Sequence, residues 1–145
     1  MTSNNLPITD ISKLIPQKTP FVMVDTLLEF SNEKIVSSFK IIDSNLFVKD
    51  GVFLESGLIE NMAQTVALHT GYDYFLKGED APTGYIGSIK KVEVFQLPKL
   101  NEAITTEALI LHEFMGVTMV EVKAYDANKT EIASAQMKTV IAANE

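Results

Sequence analysis

Three residue types are missing altogether from this chain of 145 residues, cysteine, arginine and tryptophan. Without cysteine there are no disulfides, no thiolate metal ligands and no thiol nucleophile. All twelve basic residues are lysine, so the planar guanidinium fork that often clamps carboxylate or phosphate is absent. Histidine is scarce, and His69 and His112 lack metal-ligand spacing, so no metal is expected. Nothing in the chain calls for a cofactor. Positive charge is in the minority, with a formal net charge of -7, which argues against nucleic acid as a main partner. No apolar run is long enough to span a bilayer, and no N-terminal stretch reads as a signal segment, so a cytoplasmic protein away from the membrane is expected. Repeats, linkers and low-complexity segments are also lacking. The length suits one domain, residues 1–145, and can bury a real core.

Against this background the stretch 58–64 stands out, because it sets one carboxylate, Glu60, inside an apolar segment. Burying an unpaired carboxylate is costly, so such a group must be paired, protonated or functional. A carboxyl group in apolar surroundings suits general acid or base work near neutral pH. The plainer alternative is a glutamate that reaches solvent through a gap or caps nearby backbone.

The pattern around this stretch predicts one long helix. Residues 55–77 contain no proline, and Gly78 follows as a stop. Taken at about 100° per residue, Asn61, Thr65, His69 and Asp73 form one polar stripe. Glu60, Ala63, Gln64, Ala67 and Gly71 form a second face of small residues around the Glu60/Gln64 pair. Large apolar residues fill the remaining positions, so the helix should be wrapped on most sides, with small residues where other backbone comes close.

Upstream, Thr9 or Asp10 could cap a short helix over 11–15, which Pro16 stops. Strands are expected over 21–25 and 35–42, with turn signals at 43–45 and 49–51 flanking Leu46 and Phe47. Downstream only strand patterns occur, over 85–89 leading into 92–97, then 104–114, 117–125 and 132–142. Gly116 and residues 127–129 are the expected hairpin turns. One long apolar helix with a curved antiparallel sheet is buried most economically as sheet around helix, an α+β hot-dog fold.

Residues 14–25, Leu-Ile-Pro-Gln-Lys-Thr-Pro-Phe-Val-Met-Val-Asp, resemble the opening of the (3R)-hydroxyacyl-acyl-carrier-protein dehydratases of the FabZ type, Leu-Pro-His-Arg-x-Pro-Phe-Leu-Leu-Val-Asp. Residues 58–64, Leu-Ile-Glu-Asn-Met-Ala-Gln, resemble that family's helix motif, Ile-x-Glu-Ala-Met-Ala-Gln. The Gly87 region, the Pro98 turn and the closing hairpins follow the family's order. The resemblance implies a dimer with sites at the subunit interface. There a glutamate on one central helix and a histidine from the other subunit remove water from a 3-hydroxyacyl thioester. The glutamate falls on Glu60. The histidine does not carry over: its loop motif, Gly-His-Phe-Pro-Gly, corresponds to Asn45-Leu46-Phe47-Val48-Lys49, and Leu46 moves no proton. Leu54-Glu55 replaces the Pro-Gly that opens the family's helix, and Gln17 replaces the histidine of the opening motif. The pattern also resembles hot-dog proteins of aryl-polyene and flexirubin pigment clusters, several of which depart from the fatty-acid enzymes around the histidine loop.

The resemblance thus implies a 3-hydroxyacyl-acyl-carrier-protein dehydratase of fatty-acid or polyene biosynthesis. Its catalytic residue is Glu60, with Gln64, Leu46, Phe47 and Gly87 at the substrate. Two other readings stand beside it: a hot-dog acyl thioesterase using Glu60 with Gln64, and a non-catalytic subunit that pairs with an active paralogue. The expected partners are an acyl carrier protein and a second subunit, in a homodimer, a multiple of it, or a heterodimer. Because carriers are acidic and so is this chain, docking needs a local positive patch, for which Lys90, Lys91 and Lys99 are the candidates. His69 stands nine residues after Glu60, about half a turn round the helix, and is expected to face solvent. His112 is expected to be structural.

Overall fold

The computed structural model describes residues 6–141. The elements are β1 (Thr26–Phe30), β2 (Lys34–Lys40), β3 (Val48–Lys49), β4 (Val52–Phe53), α1 (Glu55–Leu76), β5 (Gly84–Val94), β6 (Ala103–Phe114), β7 (Val117–Tyr125) and β8 (Glu131–Ile141). Six strands form one antiparallel sheet in the order β1-β2-β6-β7-β8-β5, and β3 and β4 make a separate small hairpin. The sheet curves around α1, which is the α+β hot-dog arrangement expected from the pattern. Residue 142, predicted to end the last strand, lies outside the described residues.

Sequence punctuation sets most of the boundaries. The helix closes through a Schellman motif: Gly78 (φ 71) donates to Phe75 O, and Glu79 donates to Tyr74 O. Its start has no such device, since Leu54 at the N-cap makes no side-chain cap. Met115 and Gly116, both at positive φ, form the two-residue turn between β6 and β7, with Phe114 opposite Val117. Asp126 organises the next turn, its Oδ1 accepting from the backbone N–H of Asn128 and Thr130.

Apolar residues of α1 (Leu58, Met62, Val66, Leu68 and Tyr72) pack among Ile35, Phe39, Ile104, Val120, Val122 and Met137 of the sheet. Burial holds the Tyr72 hydroxyl above its ordinary pKa. The polar stripe of α1 does not open to solvent along its first half. Asn61 and Thr65 are fully buried against the sheet. There Thr106 donates to Asn61 Oδ1 at 2.6 Å, and the Ser37 and Thr65 hydroxyls lie 2.8 Å apart. A buried polar group must find a partner, and two hydroxyl-bearing strand residues supply it.

Two expected elements do not form. Residues 11–15 make a turn, with Leu14 N–H donating to Ile11 O, rather than a short helix. Residues 21–25 belong to no strand; the first strand begins at Thr26, although Asp25 N–H already donates to Ser38 O of β2. At Phe21 and Met23 helix side chains take the place of a strand neighbour. Met23 N–H donates to Gln64 Oε1 at 2.7 Å, and Met23 O accepts from Asn61 Nδ2 at 2.7 Å. Downstream, the two segments over 85–89 and 92–97 fuse into the single bulged strand β5, which stops at Val94.

Gly71 fixes how close the turn can lie to the helix. A Cβ built there would fall 1.8 Å from Leu14 O. We expect Gly71→Ala to push residues 11–17 off the helix and cost about 1–3 kcal/mol or more, the range for overpacking a filled site. Urea denaturation of the variant beside the wild type measures this, and an unchanged midpoint would contradict the packing described.

Candidate active site

The second face of α1 carries Glu60, Ala63, Gln64, Ala67 and Gly71. Its small residues let two other segments approach, residues 14–17 and residues 80–86. Together with Thr139 and Ile141 of β8 they enclose a cavity of about 430 Å3, with Glu60 and Gln64 in its wall.

Gln64 is almost fully buried, at 1% exposure. Its Oε1 accepts from Met23 N–H, which leaves Nε2 as the donor. That group bonds Phe21 O and Glu60 Oε2, both at 2.9 Å. Both amide protons and one acceptor site are therefore engaged, and the amide cannot turn over without losing all three bonds. Glu60, half-buried, is held from one side by this amide. No lysine forms an ion pair with it among the described residues. Its carboxyl group thus sits at the cavity wall with one oxygen fixed and without a neutralising cation.

The other residues singled out from the sequence lie elsewhere within the chain. Leu46 is 50% exposed. Phe47 tucks under the first turn of α1, where a Cβ on Gly57 would fall 2.7 Å from Phe47 Cβ. Gly87 sits in a bulge of β5, one residue beyond the stretch that lines the cavity. Lys90, Lys91 and Lys99 are exposed and none borders the cavity. Lys91, at φ 54, occupies a second irregularity of β5.

Neither histidine reaches Glu60. His69 does not simply face solvent: its ring stacks on Phe30 with centroids 4.9 Å apart, and its Nε2 lies 2.8 Å from Ser31 O. The aromatic residue that holds it comes from β1, invisible to helix periodicity. His112, expected to be structural, is exposed on β6, where its ring stacks on that of Phe114 with centroids 6.4 Å apart. Among the described residues no group of three or more His, Asp or Glu side chains is arranged to hold a metal ion. No helix among them is long and apolar enough to cross a membrane.

Three contributors to the cavity escaped the sequence reading. Residues 80–86 carried no signal beyond the start of a strand. Lys13 borders the cavity, and with Lys18 it also borders a shallow depression beside it; both flank the opening motif, which was the available clue. Gln17, in the same wall, has a buried Oε1 with no hydrogen-bond partner.

Comparison with known proteins agrees with this architecture. The family model of ApeP-like proteins, described as ApeP dehydratase, matches residues 9–144. The 3-hydroxyacyl-[acyl-carrier-protein] dehydratase FabZ of Vibrio atlanticus (strain LGP32) is 30% identical over 121 residues, covering 76% of this chain and 77% of that protein. Among solved structures, the dehydratase heterocomplex ApeI:P from Xenorhabdus doucetiae superposes with a TM-score of 0.84 at 16% identity, over 92% of this chain and 91% of the other. A hypothetical thioesterase protein with coenzyme A from Streptococcus pneumoniae TIGR4 shares the fold less closely, with a TM-score of 0.64 at 12% identity over 82% and 86%. The chain belongs to the ApeP-like dehydratase family, and it is a 3-hydroxyacyl-acyl-carrier-protein dehydratase-like protein with a hot-dog fold.

Proposed function

We propose that the cavity is where a carrier-bound 3-hydroxyacyl thioester loses water, with Glu60 as its acid/base group. One observation carries this reading: in a chain of a dehydratase family, a carboxylate stands in a cavity wall with one oxygen fixed by Gln64. Dehydration removes a proton from C2 and hydroxide from C3, giving the enoyl thioester and one water. Each well-placed proton-transfer group contributes about 10²–10⁴-fold. Glu60 supplies one such group, and a partner subunit supplies the other.

Leu46 stands where the resembled enzymes carry their histidine, so a second copy of this chain brings no imidazole at that position. The Xenorhabdus structure is a dehydratase heterocomplex, ApeI:P. That supports pairing with a related chain which carries the missing group, alongside or in place of self-association. The contact surface we assign is the edge strand β5. It is unpaired on one side and exposes Tyr85, Ile86, Ile89 and Val92. Exposed apolar sheet edges are ready to pair with another strand. The carrier protein docks through lysine, with Lys90, Lys91 and Lys99 on and beyond β5 as the patch.

A thioesterase acting through Glu60 and Gln64 is the second reading, favoured by the same lone helix carboxylate. Incubation with 3-hydroxyacyl, enoyl and saturated acyl carrier thioesters separates the readings. Water loss or gain marks the dehydratase and free thiol the thioesterase; silence in every assembly marks a non-catalytic subunit.

Glu60→Gln should lower turnover by about 10²-fold or more and leave the melting temperature unchanged or slightly raised. Removing a true structural tie from a buried ionic group would instead destabilise by several kcal/mol. A thermal melt and an assay on the same variant read both, and an active Glu60→Gln protein would sink the catalytic role.

Assembly is checked by analytical ultracentrifugation at micromolar concentration, where a dimer or a multiple of it is expected. Ile89→Lys, at a site already 39% exposed, should shift the population toward monomer without unfolding it. A monomeric wild type, alone and with its related chain, contradicts the proposal. For the carrier, reversing the charge of Lys90 and Lys91 should weaken turnover of carrier-bound substrate and spare a short pantetheine thioester. Equal loss on both would argue against docking there.

A further inference from the structure

The small-residue face of α1 does not end at Gln64, and nothing proposed so far uses its second half. Ala67 and Gly71 follow Glu60 by seven and eleven residues, which keeps both within about 20° of Glu60 around the helix. They lie about 10 Å and 16 Å further along its axis. Both border the cavity, together with Ala63, Ile15, Ile86 and Ile141. Ala67 is half-buried there and presents only a methyl group. The far end is not closed. Gly71, Lys13, Ile15, Asp80 and Ala81 border both the cavity and the shallow depression beside it, so the two spaces meet at the second half of the helix.

We propose that Ala67 is a specificity-determining residue: its small side chain leaves the cavity open along α1, so that long acyl tails are admitted past it. This rests on the reading that a 3-hydroxyacyl thioester reacts at Glu60. With C2 and C3 held there, one side of the substrate, acyl tail or pantetheine arm, runs on along the helix. The pantetheine arm carries amide groups that lose their water on burial and need polar partners. A hydrocarbon tail needs none. The methyls of Ala63 and Ala67, with Ile15, Ile86 and Ile141, give it an apolar surface. An extended chain of single bonds advances about 1.2 Å per bond, so a tail starting at Glu60 draws level with Ala67 after about eight carbons. Shorter tails stop before it. Longer ones pass it and emerge into the depression, where their ends meet solvent.

The test compares kcat/KM on carrier thioesters of 3-hydroxybutyrate and 3-hydroxytetradecanoate, in the assembly the protein forms. The wild type should dehydrate both. Ala67→Leu should lower the long-chain value about tenfold or more relative to the short-chain one, the effect of overfilling an occupied space. Ala67→Val, a smaller intrusion, should move the ratio the same way by less, and it carries the test if Ala67→Leu melts too low to assay. Equal loss on both chains would mean that the arm common to them lies along the helix, or that Ala67 only supports the wall. An unchanged ratio with full activity would put the tail elsewhere, and a wild type that converts only the short chain would show the cavity closed before Ala67. In each of these cases the inference falls while the dehydratase reading stands. If the wild type converts neither thioester, the reading of the cavity itself fails, and the inference with it.

Discussion

The wall of the cavity depends on two helix side chains that do the work of a neighbouring strand. Asn61 and Gln64 bind the backbone of Phe21 and Met23 with three hydrogen bonds between 2.7 and 2.9 Å. Extended backbone placed beside a helix has unmet N–H and C=O groups, which must be satisfied wherever they are buried. Here the helix satisfies them sideways, through side chains one turn apart. The arrangement anchors the segment that leads from the turn at 11–17 into β1. It also fixes Gln64 so that its remaining amide proton meets Glu60. The same bonds that close the fold therefore orient the carboxyl group.

This explains where the sequence was readable and where it was not. The long helix, its stop at Gly78 and the four closing strands follow from proline and glycine placement and from hydrophobic period, which are local signals. Glu60 and Gln64 stood out for the same reason, as polar residues on a small-residue face. Residues 21–25 have the composition of a strand, yet a strand exists only with a neighbour. At Phe21 and Met23 the neighbours are side chains some forty residues away in the chain, a pairing that no local period encodes. The polar stripe from Asn61 to Asp73 was legible as a stripe but not in direction. Its first half faces Ser37 and Thr106, residues whose hydroxyls look like ordinary strand decoration until the sheet is assembled. Residues 80–86 joined the cavity because the helix ends where it does, a consequence of length rather than of composition.

The helix shows how little amphipathicity a central element needs. Its buried residues occupy nearly every side, including Gly57, Asn61, Gln64, Thr65 and Gly71 alongside the large apolar ones. An element wrapped on most sides cannot be oriented by oil and water alone. Small residues and specific hydrogen bonds orient it instead: Gly71 against Leu14, Gly57 against Phe47 and Phe53, Asn61 against Thr106. The absence of arginine fits this design, since the interior ties are neutral amides and hydroxyls. Charge is left to the surface, where Lys34 lies 3.5 Å from both Glu29 and Glu107. Those two carboxylates hold the Lys34 ammonium above its ordinary pKa.

Both free margins of the sheet are broken. On one side β1 carries an irregularity between Leu27 and Glu29, and Ile8 bridges to Leu27, taking up part of the outer row of hydrogen-bonding groups. On the other, β5 departs from regular register twice, between Ile86 and Ser88 and between Lys90 and Glu93. A straight apolar margin adds any extended chain, then the next, and the growth ends in fibrils. Interrupted margins permit only a short matched run, which works against such open-ended growth. The same kinks that spoil the ideal ladder make this a protein that should stay dispersed at high concentration.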